Sequence, residues 1–322
     1  MARLELLPFS DQHLEDAARL LSARHTRHRE AEPLLPERFQ DPAAALDELE
    51  GAWRAEGASG VIAARSGRPV GYLLGAPRDR RLWGENVWVE LAGHAVEEGE
   101  LVRDLYAAAA ARWVDEGHRR HYALVPASDA ALVDAWFRVG FGQQHAHGLQ
   151  EVRTAGKVVV PEGFEIREPR AEDVEALIEI DLALPRHQQS SPVFSSMPMP
   201  TREEIRQEWA QTLATDDEKV LVGFRDGGPV AVWGLVALER SHENRGLMRP
   251  ENACFLGFAA TVPQARGSGI GLALTAASFA WAAEQGYAVM ATDWRVTNLL
   301  ASRFWPHRGF RTTFWRLYRS IP

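Results

Sequence analysis

The sequence predicts a mixed α/β fold that occurs twice along the chain, and three observations carry that expectation. The 322 residues exceed the ~250–300 that one hydrophobic core usually organises. Short apolar runs alternate with segments of helical periodicity, as in helices laid against a sheet. The two halves also align with each other at an offset of 160 residues: Arg65, Gly67, Pro69 and Val70 match Arg225, Gly227, Pro229 and Val230, and Leu14 matches Val174.

Further along the offset becomes 169, which pairs Trp136 with Trp305, Gly140 with Gly309 and Phe141 with Phe310. Part of the difference has a definite place. Val96 and Gly117 are 21 residues apart and Val262 and Gly286 are 24 apart, so the second copy carries three extra residues where a loop enters its long helix. Eight anchors in order on two offsets make a repeat.

In the second copy, residues 164–167 read as a first strand and 173–180 and 202–213 as helices. Residues 219–224 and 229–238 form a hairpin turned by Asp226, Gly227 and Gly228. A strand over 254–261 precedes a long helix over 269–285, whose buried stripe is read as Ile270, Leu274, Ala277 and Trp281. Gly286 stops that helix. A strand over 287–292, a helix over 298–304 and a closing hairpin over 309–317 complete the copy. The turn between copies spans 152–163, with domains expected at 1–155 and 161–322.

Composition excludes several functions. The net charge is −8, against the basic patch of a nucleic-acid binder. The positive charge is almost all arginine, Lys157 and Lys219 being the lysines. Cys254 is the single cysteine, so no disulfide framework forms within the chain and a cytoplasmic location is expected. The N-terminal segment lacks a signal-peptide pattern, and no apolar run is long enough to span a membrane.

The chemistry is carried by residues 258–271, FAATVPQARGSGIG. A strand enters a glycine-rich turn that opens a helix. The first helical N–H groups have no intrahelical partner, and the helix dipole adds positive character there, which makes an anion site. Gly267, Gly269 and Gly271 let a phosphate approach the backbone, and Arg266 adds a charged donor. The pattern is neither the Rossmann nor the Walker loop. Gln264-x-x-Gly267-x-Gly269 resembles the acetyl-CoA pyrophosphate loop of the GNAT superfamily of N-acetyltransferases. Asn298-x-x-Ala301-x-x-Phe304-Trp305-x-x-x-Gly309-Phe310 resembles that superfamily's next motif. The resemblance implies two tandem GNAT-like domains, each a mixed, mostly antiparallel twisted sheet flanked by helices. It further implies that backbone groups of Ala260, Thr261 and Val262 pair with the pantetheine arm. Arg266, Gly267, Ser268, Gly269, Ile270 and Gly271 would hold the pyrophosphate, and Asn298 and Phe304 would contact the cofactor. The acetyl group would lie where the strands ending at Thr261 and Thr292 splay apart.

The first copy departs from this pattern. Its loop, VEEGELV over 96–102, is shorter and places Glu97, Glu98 and Glu100 at the phosphate position, where carboxylates repel phosphate. Asp129 replaces Asn298. The N-terminal domain is therefore expected to bind no cofactor.

Catalysis requires a base for the amine proton and an acid for the leaving thiolate. The superfamily often places a tyrosine acid where this chain has Trp305. Asp293, Glu251 and Glu239 are the candidate carboxylates. Tyr318 reads as a packing aromatic and Cys254 as a buried small residue. His25 and His28 read as a solvated helix end, and the rest of a metal-ligand set is missing. The Ser- and Pro-rich segment 187–200, with Phe194, Met197 and Met199, is the expected acceptor lid. The reading is an acetyl-CoA-dependent N-acetyltransferase acting on a primary amine of a small molecule, as a monomer or weak homodimer. The alternatives are an acyl-CoA-sensing binding module and a peptide or protein N-acetyltransferase.

Overall fold

The computed structural model describes residues 3–153, 158–215, 217–241 and 246–322. The expected domain end at 155, and Lys157 with its neighbours in the turn between copies, lie outside the described residues. The elements run β1 (Leu4–Pro8), α1 (Leu14–Ala31), α2 (Pro42–Trp53), β2 (Ser59–Arg65), β3 (Arg68–Gly75), α3 (Arg80–Trp83), β4 (Asn86–Val89), β5 (His94–Val96), α4 (Leu101–Asp115), β6 (Arg120–Pro126), α5 (Ala130–Arg138) and β7 (Gly142–Glu151). They continue β8 (Phe164–Arg167), α6 (Val174–Gln189), α7 (Arg202–Ala214), β9 (Glu218–Arg225), β10 (Gly228–Ala237), β11 (Ala253–Thr261), α8 (Ile270–Glu284), β12 (Val289–Arg295), α9 (Ala301–His307) and β13 (Arg311–Ser320). None of the described helices is long and apolar enough to cross a membrane.

The chain divides into two compact units, and their bounds differ from the division read off the sequence. Unit 1 comprises Met1–His147 together with Gly246–Pro250 and Thr312–Pro322. Its strands β1, β2, β3 and β5 pair antiparallel in that order. Beside them β4 runs parallel to β6, and β13, from the far end of the chain, runs antiparallel to β6 from Phe314 opposite Pro126 to Ser320 opposite Arg120. The strand belongs there because its inward side chain, Leu317, completes the core formed by Leu105, Trp113, Trp136 and Phe141. Helix α4 lies close on the sheet because Gly75 has no side chain; a Cβ there would come within 2.6 Å of the Trp113 ring.

Unit 2 comprises Gly148–Arg245 and Glu251–Arg311. Strands β8, β9, β10 and β11 pair antiparallel, β12 runs parallel to β11, and the end of β7 lies next to β12. Gly148 leaves room there for Trp294, whose ring a Cβ would meet at 2.8 Å. Helix α8 rests on β9 at Gly223, where a Cβ would lie 2.7 Å from Ile270. Helices α6 and α7 are joined by ion pairs from Glu175 and Glu179 to Arg202 and Arg206, and by Trp209, whose Nε1 donates to Asp181 Oδ2 at 2.6 Å.

Several sequence expectations are corrected. Helix α6 continues to Gln189 rather than stopping at Ile180, because Leu177, Ile178 and Leu182 extend its buried face and Pro185 is accommodated inside it. The expected closing hairpin is the single strand β13. The buried face of α8 follows Ile270, Leu274, Ser278 and Ala282; Ala277 and Trp281 are only half-buried. Ser278 tolerates burial because its hydroxyl donates to the Leu274 carbonyl of its own helix at 2.9 Å. His25 and His28 are not a solvated end, since the α1 turn that carries them is packed inside unit 1, at 1% and 4% exposure.

Two sets of buried groups carry opposite pH dependences, the histidines of unit 1 and Asp181 of unit 2. Burial pushes His25 and His121 down to about 4, and His28 and His94 down to about 3. An unfolded histidine titrates near ~6.5, so below that pH the unfolded chain binds more protons. Unit 1 is predicted to have its full stability above about pH 6.5 and to lose about 2 kcal/mol per histidine by about pH 5. Burial raises Asp181 to about 6, above its unfolded value, so its cost is absent below about pH 4 and complete above about pH 6. Asp181→Asn keeps an acceptor for Trp209. It is predicted to stabilise unit 2 by about 1–2 kcal/mol at about pH 7.5 and by nothing at about pH 4, read by chemical denaturation. A gain of equal size at both pH values would contradict the assignment.

Candidate functional site

The site in unit 2 is made by two parallel strands that stop pairing. Strands β11 and β12 are in register from Ala253 opposite Val289 to Leu256 opposite Thr292. Thr292 Oγ1 donates to the Leu256 carbonyl at 2.8 Å and marks the last joined position. Beyond it β11 stays with β10 as far as Thr261 opposite Ala231. Gly257 is the residue at which they part. Gly234 faces Phe258 and Leu235 faces Leu256, so Gly257 is the extra residue of a β-bulge. A Cβ at Gly257 would meet the Phe255 ring at 2.8 Å.

The register decides which backbone groups face the opening. The Val262 N–H donates to the Val230 carbonyl at 2.9 Å. Alternation along an antiparallel pair then turns the backbone groups of Ala260 and Val262 toward β10, and those of Ala259 and Thr261 the other way. Consistent with this, the Thr261 carbonyl accepts from Arg266 Nε at 3.2 Å. Of the three residues named from sequence for a pairing arm, only Thr261 has its backbone on the open side, and Ala259 replaces the other two. A sequence without register cannot distinguish the odd positions from the even ones.

Strand β11 enters a short 3-10 turn, Pro263–Ala265, and then the glycine turn. Gly267 and Gly269 have φ of 79° and 90°, left-handed values that side chains resist. A Cβ on Gly267 would find no atom within 4 Å, so the outer face of the turn is open. Ser268 Oγ donates to the Ala265 carbonyl at 2.7 Å and holds the turn in shape. The Leu272 and Ala273 N–H groups are taken by the Gly269 carbonyl at 3.0 and 3.1 Å. Across the turn, Phe304 of α9 stands 3.8 Å from where a Gly271 Cβ would lie, so Phe304 and Gly271 are neighbours. Asn298 is buried, and its Oδ1 caps α9 by accepting from the Leu300 and Ala301 N–H groups at 3.1 and 3.3 Å.

The candidate carboxylates are separated by the fold. Asp293 is the first residue of β12 beyond the last β11 pair, half-buried at the parting of the strands. Glu239 and Glu251 are exposed and flank the opposite end of β11, beside Ala237 and Ala253. Residues on one strand at spacing two share a face, so Asp293 shares the face of Arg295, whose Nε donates to Gln188 Oε1 of α6 at 3.0 Å. His187 of α6 approaches Asn298 Oδ1 at 3.3 Å. Sequence reasoning put His187 and Gln188 in a lid; the continued apolar spacing of α6 through Leu184 was the signal that they belong to a helix. In the segment that follows, Phe194 is 71% exposed. Trp305 is 5% exposed and packs edge-on against Phe310 in the core. Tyr318 lies in unit 1. Burial pushes the Cys254 thiol up to about 12, so it stays protonated.

Unit 1 has a related parting of strands, and there it is filled. β4 leaves β6 after Val89 opposite Ala123, and β5 joins β3 instead. His94 of β5 reaches across to the Leu124 carbonyl of β6 at 2.8 Å. The buried Arg24 of α1 donates to the carbonyls of Leu91, at 2.7 Å, and of His94. Glu97 and Glu98 are exposed and ion-paired to Arg68 and Arg65. A Cβ on Gly99 would lie 2.8 Å from the backbone of Ala131 and Leu132, so the start of α5 covers this loop.

Comparison with known proteins agrees with the geometry of unit 2. Residues 185–310 match the Acetyltransferase (GNAT) family. A GCN5-related N-acetyltransferase from Sphaerobacter thermophilus is 17% identical over 99% of this chain and 96% of its own, with a TM-score of 0.61. A GCN5-related glucosamine N-acetyltransferase region of a fungal multi-domain GH3 β-N-acetylglucosaminidase is 17% identical over 99% of this chain and 38% of that one, with a TM-score of 0.54. At these identities the two structures show a shared fold. No curated protein matches the chain in sequence.

Proposed function

From the premise that this chain carries a GNAT acetyltransferase domain at residues 185–310, we propose that it transfers an acetyl group from acetyl-CoA to the primary amine of a small molecule. The observation that carries the proposal is the open strand of unit 2, which runs directly into a turn with an uncrowded outer face at Gly267. An extended, nucleotide-linked thioester fits that arrangement. Its arm pairs with the backbone groups of Ala259 and with the Thr261 N–H, which face away from β10, and its phosphates meet residues 266–271 at the start of α8. Phe304 and Asn298 line the same path. The thioester supplies the activated acyl carbon, and the chain binds the two substrates in one complex and aligns them.

The amine lone pair attacks the acyl carbon, the C–S bond breaks, and the amine proton must leave. Asp293, at the parting of the strands, takes the role of accepting it or of holding the amine. The leaving thiolate takes its proton from solvent, because Trp305 has no acidic proton to give. Unit 1 takes no acetyl-CoA in this proposal; its strand opening is bridged by His94 and occupied by Arg24. The chain acts in the cytoplasm as a monomer or weak homodimer. A second reading, an acyl-CoA sensor without turnover, draws on the core position of Trp305; turnover with any free amine eliminates it.

Calorimetry is predicted to find one acetyl-CoA per chain, and none for Gly267→Glu. Gly267→Ala bears the same strain at positive φ without the charge, and is predicted to keep binding within about tenfold. Two sites in the wild type, or undiminished binding by Gly267→Glu, would overturn the cofactor assignment. Asp293→Asn is predicted to lower kcat/KM for the amine about a hundredfold while leaving acetyl-CoA affinity within about twofold. Unchanged turnover would remove Asp293 from the mechanism.

A further inference from the structure

Unit 1 contains a pocket of about 280 Å³ lined by α1 residues Arg24, Arg27 and His28 and by Ser128 and Asp129 at the start of α5. The repeat gives this place a counterpart in unit 2. At the offset of 160, Arg27 and His28 correspond to His187 and Gln188; at 169, Pro126 and Asp129 correspond to Arg295 and Asn298. In unit 2 these residues bond across to each other, His187 to Asn298 and Arg295 to Gln188. In unit 1 the corresponding place is a cavity.

Its lining is electrostatically incomplete. Arg24 is 3% exposed, and its Nε has no hydrogen-bond partner. Burial lowers its pKa only to about 10, so the guanidinium is charged at neutral pH. A buried charge is costly unless an opposite charge answers it, and the groups Arg24 Nη1 touches are the neutral carbonyls of Leu91 and His94. His28 is neutral, its pKa lowered by burial to about 3, and its ring bonds to the Thr313 backbone. Arg27, exposed at the rim, reaches the Val96 carbonyl with one nitrogen at 3.4 Å. Asp129 is the single lining carboxylate, and its Oδ1 caps α5 by accepting from the Leu132 N–H at 2.9 Å. Two guanidiniums against one carboxylate, which also caps α5, leave net positive charge in the lining.

We propose that this pocket binds a small anion, a carboxylate or phosphate, held between Arg24 and Arg27 beside the start of α5. The volume admits an ion of a few heavy atoms and is too small for a nucleotide-linked thioester. The site is independent of acetyl-CoA binding in unit 2.

Titration calorimetry with sodium acetate and with inorganic phosphate, at fixed ionic strength, tests the proposal on the full chain. At least one probe should saturate a single site, and the one that does so more tightly assigns carboxylate or phosphate. Arg27→Ala removes an exposed side chain and should keep the fold, checked by circular dichroism; it should weaken that binding at least tenfold. Gly267→Glu should leave it unchanged. If neither probe saturates, or if Arg27→Ala binds as the wild type does, the pocket is not an anion site. If Gly267→Glu abolishes the signal, the anion sits at the α8 turn and the assignment to unit 1 is wrong.

Discussion

The parting of β11 from β12 after Leu256 and Thr292 is the constraint from which the rest of unit 2 follows. A strand that leaves one neighbour and keeps the other exposes half of its backbone donors and acceptors, and those groups need a partner. Gly257 makes the departure possible, because the bulge turns β11 at a point where a side chain would collide with Phe255. The same strand ends at the glycine turn, so the open backbone and the start of α8 lie along one line. Asp293 and the α6 residues His187 and Gln188 are gathered near the parting because β12 runs on past it to Arg295, which bonds to Gln188 of α6.

Unit 1 meets a similar constraint in a different way. Its separated strands would also leave carbonyls without partners, and Arg24 and His94 supply the donors internally. The ion pairs of Glu97 and Glu98, and the backbone of α5 over Gly99, then close the loop that would have faced a phosphate. The sequence expected the acidic residues of that loop to repel a phosphate; in the structure Glu97 and Glu98 are exposed and held by Arg68 and Arg65, and α5 packs over Gly99. Satisfying the carbonyls with an arginine places a full charge inside the protein, which is the origin of the incomplete electrostatics around α1.

Strand membership is a second consequence of packing. β13 follows the second copy in sequence, yet Leu317 and Phe314 are buried in unit 1. The end of β7 follows the first copy, yet Gly148 receives the Trp294 ring of unit 2. Each unit therefore takes a strand end from the other copy. A repeat read from sequence assigns strands by order, whereas the sheet assigns them by edge complementarity.

The sequence by itself determined what is local or periodic. The repeat, the strand–turn–helix around Gly267, the hairpin turned by Asp226 and Gly227, and the core placement of Cys254 all follow from residue type and spacing. It expected Asp293 at the end of a strand, whereas β12 continues through it to Arg295. What only the tertiary structure decided depends on register and on distant partners. Ala259 rather than Ala260 faces the opening because of a hydrogen-bond register with β10. Glu239 and Glu251 fall at the wrong end of β11 because strand direction, not proximity in sequence, sets which end is open. His25, His28 and Arg24 looked like a charged helix end and are buried, because burial of an α1 turn depends on β5, β6 and β13, which arrive from 70 to nearly 290 residues away.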